Sequence, residues 1–106
     1  MPNKIHLTVA TVVVKDDTFL MVRETQEGVK VINQPAGHVE PGEDVIAAAI
    51  RETLEETCWN VQITGYLGFS NVKSATTDIT YYRHTFLAEP VSFDATAELD
   101  PDIDSA

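Results

Sequence analysis

The sequence predicts an α/β (α+β) domain in which a mixed β-sheet carries helices on its faces, with one helix, at about 43–57, assured. Three observations lead there. β-Branched residues crowd positions 5–14, and alternating apolar runs recur at 61–72 and 79–88. Between these strand-like stretches lies one segment with helical periodicity. A chain of 106 residues is at most one small domain with a single core. No repeat, low-complexity stretch or linker divides it.

Each element has its own signal. Residues 5–14 read as a strand, and Asp16-Asp17 as the turn that ends it. Residues 18–23, with Phe19, Leu20, Met21 and Val22, read as its hairpin partner. A turn at 26–28 leads to a short strand at 29–32. Pro35, Gly37, Pro41 and Gly42 then interrupt regular structure, so 33–42 is expected to be mostly loop. The helix starts near Glu43, because Pro41 and Gly42 block an earlier start and Glu43 and Asp44 suit its positive end. At about 100° per residue, Ile46, Ile50 and Leu54 form one apolar stripe, with Glu52, Glu55 and Glu56 on the opposite side. Gly65 and Gly68 mark a bulge or close backbone approach within the strand at 61–72.

Composition narrows the function classes. The formal charge is −10, which argues against nucleic-acid duplexes and anionic membranes as main partners. No apolar run approaches the roughly 20 residues of a membrane span, and no signal pattern opens the chain, so a cytoplasmic location is expected. The lone cysteine, Cys58, excludes an internal disulfide framework and a multi-cysteine zinc site. Residues 94–106 hold acids and no Lys or Arg and read as a solvated, flexible tail. Six other acids (Glu40, Glu43, Asp44, Glu52, Glu55, Glu56) crowd one short stretch. Such crowding is repulsive unless a cation joins it.

Arg51 can orient one of these carboxylates through a bidentate contact. The Gly/Pro-rich loop before the helix can bring backbone carbonyls to the same region. Carboxylates plus a carbonyl form the oxygen-only set that Mg²⁺ or Mn²⁺ prefers. The pattern therefore points to a hard-metal site built to hold phosphates.

The same residues carry a family resemblance. Gly37, Glu43, Arg51, Glu52, Glu55 and Glu56 resemble the Nudix box: Gly, five residues, Glu, seven residues, Arg-Glu, two residues, Glu-Glu. At ordinary residue frequencies a chance match of six fixed positions is on the order of 10⁻⁸ per starting point. Two departures stand out. Cys58 and Trp59 occupy the closing Gly and apolar positions, and Thr53 replaces an aliphatic residue. Cys58 in a left-handed cap would cost about 1 kcal/mol, unless Asn60 takes the cap on a slightly longer helix. Neither change removes a charged group.

What the resemblance implies is a Nudix fold and a magnesium-dependent hydrolase, with Mn²⁺ as a substitute, acting on nucleoside diphosphate-linked compounds by attack of water on phosphorus. Glu52, Glu55 and Glu56 resemble the metal-binding carboxylates, with the Ala36 carbonyl as backbone ligand. Glu52 is the first candidate for general base, and Glu98 stands for a base from a downstream loop. Arg51 would steer a carboxylate, with Glu43 and Gly37 in support. Arg23, Gln34, Arg83 and Tyr81 are the candidates for substrate contact. His38, Tyr82 and Trp59 are weaker ones, for which packing or hydrogen bonding is the simpler role. A metal would also reconcile an acidic protein with an acidic substrate by reversing the local sign.

Residues 22–25 and 33–40 look most similar to a bacterial branch that cleaves nucleoside tri- and diphosphates and hydroxymethylpyrimidine pyrophosphate. The competing reading is a non-catalytic Nudix module for nucleotide sensing or partner binding, which usually loses box glutamates that are present here. The family fold usually continues with another strand and helix, so the chain reads as shortened at its C-terminus. An uncovered sheet face would then favour a homodimer or loss of activity.

Overall fold

The computed structural model describes residues 4–26, 28–74, 77–97 and 103–105. The β-branched opening run forms β1 (Lys4–Lys15), which turns at Asp16-Asp17 into β2 (Thr18–Phe19). Both turn residues have positive φ, 49° and 65°. That geometry matches the right-handed strand twist of a two-residue hairpin, and aspartate tolerates it.

The expected hairpin partner at 18–23 is split in two. Leu20 still donates its N–H to the Val13 carbonyl at 3.0 Å, but the chain then leaves that edge. It continues as β3 (Val22–Gln26), which pairs with β4 (Val29–Asn33) in a different sheet. Burial accompanies the break: Leu20 packs against the cluster of Val13, Val61 and Ala88, and Val22, already in the second sheet, is fully buried. The expected loop at 33–42 also holds a short strand, β5 (Ala36–His38), antiparallel to β1. Pro35 permits this because its carbonyl accepts from Thr11 N–H at 2.9 Å, and proline lacks only the donor.

After helix α1 (Val45–Thr57) come two long strands, β6 (Trp59–Lys73) and β7 (Ile79–Phe93). They pair antiparallel, with register shifts at Ile63/Gly65 and Tyr66/Gly68, where the glycines predicted them. β7 returns parallel to β1 over ten residue pairs, Lys4↔Ile79 to Val13↔Ala88. The larger sheet is ordered β2-β1-β7-β6, with β5 also on β1. The smaller is β4-β3-β8, where β8 is Ile103–Ser105, inside the acidic stretch 94–106. No described helix is long and apolar enough to cross a membrane.

Helix α1 packs through a different face from the expected stripe. Its buried residues are Ala48, Ala49, Thr53 and Thr57, while Ile46 is 44% exposed. Small side chains let the helix lie close to the sheet, with Ala48 and Ala49 against Val9 and Phe86. Ile50 reaches a second cluster formed by Val13, Val61 and Ala88. The buried Thr53 hydroxyl donates to the Ala49 carbonyl at 2.7 Å, so its substitution for an aliphatic residue leaves no unsatisfied group. The rotation has a functional consequence. Glu52 and Glu56 flank the packing face toward β5 instead of pointing to open solvent.

Candidate active site

The site begins with how α1 is started and stopped. Asp44 is the N-cap and accepts from Ala47 N–H at 3.2 Å. Cys58 itself is the left-handed C-cap, with φ 63° and its N–H donating to the Leu54 carbonyl at 2.8 Å. Asn60 lies in β6 and takes no part in the cap. These ends set the length of the helix, and the packing of Ala48 and Ala49 against Val9 and Phe86 sets the direction of its glutamates.

Arg51 organises the carboxylates. Its Nε and Nη2 form a fork on Glu43, at 2.7 and 2.9 Å. Nη1 donates to Glu52 at 2.7 Å and to Glu55 at 3.1 Å, and Nη2 also reaches the His38 carbonyl at 3.1 Å. Glu43 accepts from Glu40 N–H at 3.0 Å as well. The Arg51 hydrogen bonds, then that backbone bond, hold the Glu43 carboxyl down at about 2. The Glu43 bonds, with Glu52 adding to them, raise the Arg51 guanidinium above its ordinary value. One guanidinium here faces Glu43, Glu52, Glu55 and, at 3.8 Å, Glu40. The surplus of negative charge favours a cation.

Strand β5 closes the other side. A Cβ built on Gly37 would overlap the Glu52 carboxylate. Only glycine lets that side chain lie across the strand. Ala36 N–H donates to Glu56 Oε1 at 2.9 Å. The Pro35 and Val39 backbone bonds to β1 show the alternation of an antiparallel ladder, in which Ala36 faces away from β1. Its carbonyl therefore points to the same side as its N–H, toward α1.

Glu52, Glu55, Glu56 and the Ala36 carbonyl are thus gathered at one corner. Their all-oxygen chemistry fits a hard divalent cation. Among the described residues no group of three or more His, Cys, Asp or Glu side chains is placed to hold a metal ion. Arg51 and the Ala36 amide hold the glutamates, so a cation has to compete with those partners.

Beside this corner is a cleft of about 290 Å³ lined by Met21, Glu24, Ile32, Asn33, Gln34, Ala36, Glu56 and Arg83. It joins two expected substrate-contact residues, Gln34 and Arg83, to two expected metal-site residues, Ala36 and Glu56. Arg23 is not there. It is exposed, and its partner across the β3–β4 ladder is Ile32. Tyr81 packs edge-on against His6 and His38, whose rings meet at 3.0 Å between nitrogens. Tyr82 packs on Phe69, and Trp59 on Phe93. Glu98 lies outside the described residues.

Sequence reasoning missed Met21, Glu24, Ile32 and Asn33. Strand alternation carried a partial signal: Glu24 shares its face of β3 with Val22, so it turns inward where Arg23 turns out.

The NUDIX domain family model matches residues 4–106. A NUDIX hydrolase from Nitrosomonas europaea superposes with a TM-score of 0.88 at 42% identity, covering 99% of this chain and 70% of that one. A MutT NUDIX hydrolase from Burkholderia pseudomallei shares the fold, with a TM-score of 0.78 at 21% identity, over 97% of this chain and 80% of its own. Phosphatase NudJ of Escherichia coli strain K12 is 52% identical over 54 residues, 51% of this chain. That match spans 35% of the NudJ sequence.

Proposed function

Since this chain belongs to the NUDIX domain family, we propose that it is a metal-dependent hydrolase of diphosphate-linked compounds, with nucleoside tri- and diphosphates or related pyrophosphates as substrates. One observation carries the reading. Ala36 and Glu56, at the carboxylate corner, line the same cleft as Gln34 and Arg83. The residues proposed as cation ligands and as phosphate donors would thus share one solvent-open space.

Glu52, Glu55, Glu56 and the Ala36 carbonyl would hold Mg²⁺. When bound, the ion neutralises phosphate charge and makes water a better nucleophile. Arg83 would engage a phosphate oxygen, supplying a charge-assisted bond. Gln34 would hydrogen-bond the group beyond it. Glu52 would accept the proton of the attacking water, its carboxylate aimed by Arg51 on one side and by the space over Gly37 on the other. Glu98 is the second candidate for that base.

The test is phosphate release from a panel of nucleotides and pyrophosphates, with Mg²⁺ present and with it removed by chelator. Hydrolysis should appear only with the metal, and Glu52→Gln should lower turnover by about 10² or more while the circular dichroism spectrum is retained. Absence of hydrolysis across the panel, or near-normal turnover by Glu52→Gln, would overturn the proposal or its choice of base respectively.

A further inference from the structure

Glu24 presents a problem of charge. It lines the cleft together with Arg83, Glu56 and Ala36. β3 pairs with β4 in the register Val22↔Asn33 and Glu24↔Val31, so Glu24 lies on the face of the fully buried Val22 and is directed inward. A carboxylate repels phosphate oxygens. Its place in a phosphate cleft makes sense if it serves the other end of the substrate.

The remaining lining suits that end. Met21 and Ile32 add apolar surface to the cleft, and Asn33 adds an amide. At about 290 Å³ the cleft lies at the low end of ligand-site volumes, which fits one heterocycle and its phosphates. Paired nucleosides would need more room. An ionised carboxylate only accepts hydrogen bonds, so the ring edge it reads must donate. With two oxygens and roughly four acceptor positions, it can take such an edge while keeping other neighbours.

We propose that Glu24 is a specificity residue that selects substrates whose ring bears an amino group over those with a carbonyl in its place. This rests on the hydrolase reading above. A ring carbonyl turned toward Glu24 sets acceptor against acceptor. Sites built on such a hydrogen bond reject the mismatched analogue far more strongly than apolar pockets reject a change of shape.

The experiment compares amino and oxo pairs, CTP with UTP and ATP with ITP, by kcat/KM under Mg²⁺, in the wild type and in Glu24→Gln. Titration calorimetry with CMP and UMP gives a readout independent of turnover. The wild type should favour the amino member of each pair by about tenfold or more, and CMP should bind more tightly than UMP. In Glu24→Gln, whose amide both donates and accepts, the ratios should collapse toward one. Equal rates and affinities within the pairs overturn the proposal while the hydrolase reading stands. A general loss of rate in Glu24→Gln with unchanged ratios also overturns it, and points to a metal-linked role. If no nucleotide is hydrolysed, the hydrolase reading fails. The CMP/UMP preference, and its loss in Glu24→Gln, then decides the role of Glu24 separately.

Discussion

The carboxylate of Glu52 lies over the backbone of Gly37, in the volume a Cβ at that position would fill. The two residues come from different elements, β5 and α1. Their approach is what lets an acidic helix flank touch a strand edge. Arg51 Nη1 holds the opposite side of the same carboxylate at 2.7 Å, so Glu52 is defined from two directions.

Gly37→Ala should therefore damage the site more than the fold. The atoms in the way are the end of one side chain, which can swing aside. Thermal stability should change by less than about 1 kcal/mol, while turnover should fall by about 10² if Glu52 is the base proposed above, because misplacing such a group costs about that much. Paired melting curves and phosphate-release rates decide it. A large loss of stability with normal activity in the surviving fold would contradict this account.

Arg51→Lys keeps the charge but loses the fork that spans Glu43 and the donors to Glu52, Glu55 and the His38 carbonyl. The guanidinium is 24% exposed, between the surface and buried cases. The expected cost is about 2 kcal/mol, read from urea unfolding. Added Mn²⁺ should recover part of it, since a cation relieves the same carboxylates.

The acid limb of the stability curve should carry the signature of Glu43. Its folded-state pKa, about 2, lies below the ordinary 4.5. Its contribution is therefore complete above the ordinary value and disappears as pH falls from there through about 2. Unfolding midpoints of the wild type and Glu43→Gln should converge across this window and stay separated above it. Curves that remain parallel down to pH 2 would show that the Arg51 bonds do not act this way.

Cys58 offers a test of the helix cap. Its φ of 63° is unfavourable for a side chain by roughly 1 kcal/mol, but the residue is buried and its Sγ lies 3.5 Å from the Ala97 carbonyl. Glycine relieves the first effect and forfeits the second, so Cys58→Gly should stay within about 1 kcal/mol of the wild type. Cys58→Val puts a β-branched residue in the left-handed region and should cost about 2 kcal/mol or more. Chemical denaturation of both variants measures the difference.

Much of this molecule is legible in one dimension, because some interactions are local. The Asp16-Asp17 turn, the bulges at Gly65 and Gly68, and the helix with its glutamates depend on neighbours within a few positions. The box spacing from Gly37 to Glu56 belongs with these, since it counts residues along a loop and a helix. What the chain order did not reveal is set by packing between distant segments. Ile46 reads as core by periodicity, yet Ala48 and Ala49 take that place because their small size lets α1 approach Val9 and Phe86. Residues 18–23 read as one strand, but burial of both Leu20 and Val22 goes with a division of the segment between two sheets. With that division Glu24 lines the cleft, while Arg23 is exposed. The carboxylates of the opening pattern were determined by sequence alone. Their rotation against β5, the tie between Ala36 and Glu56, and the company of Arg83 were decided only by the fold. A helix fixes which residues share a side, but only its packing partner determines which way that side faces.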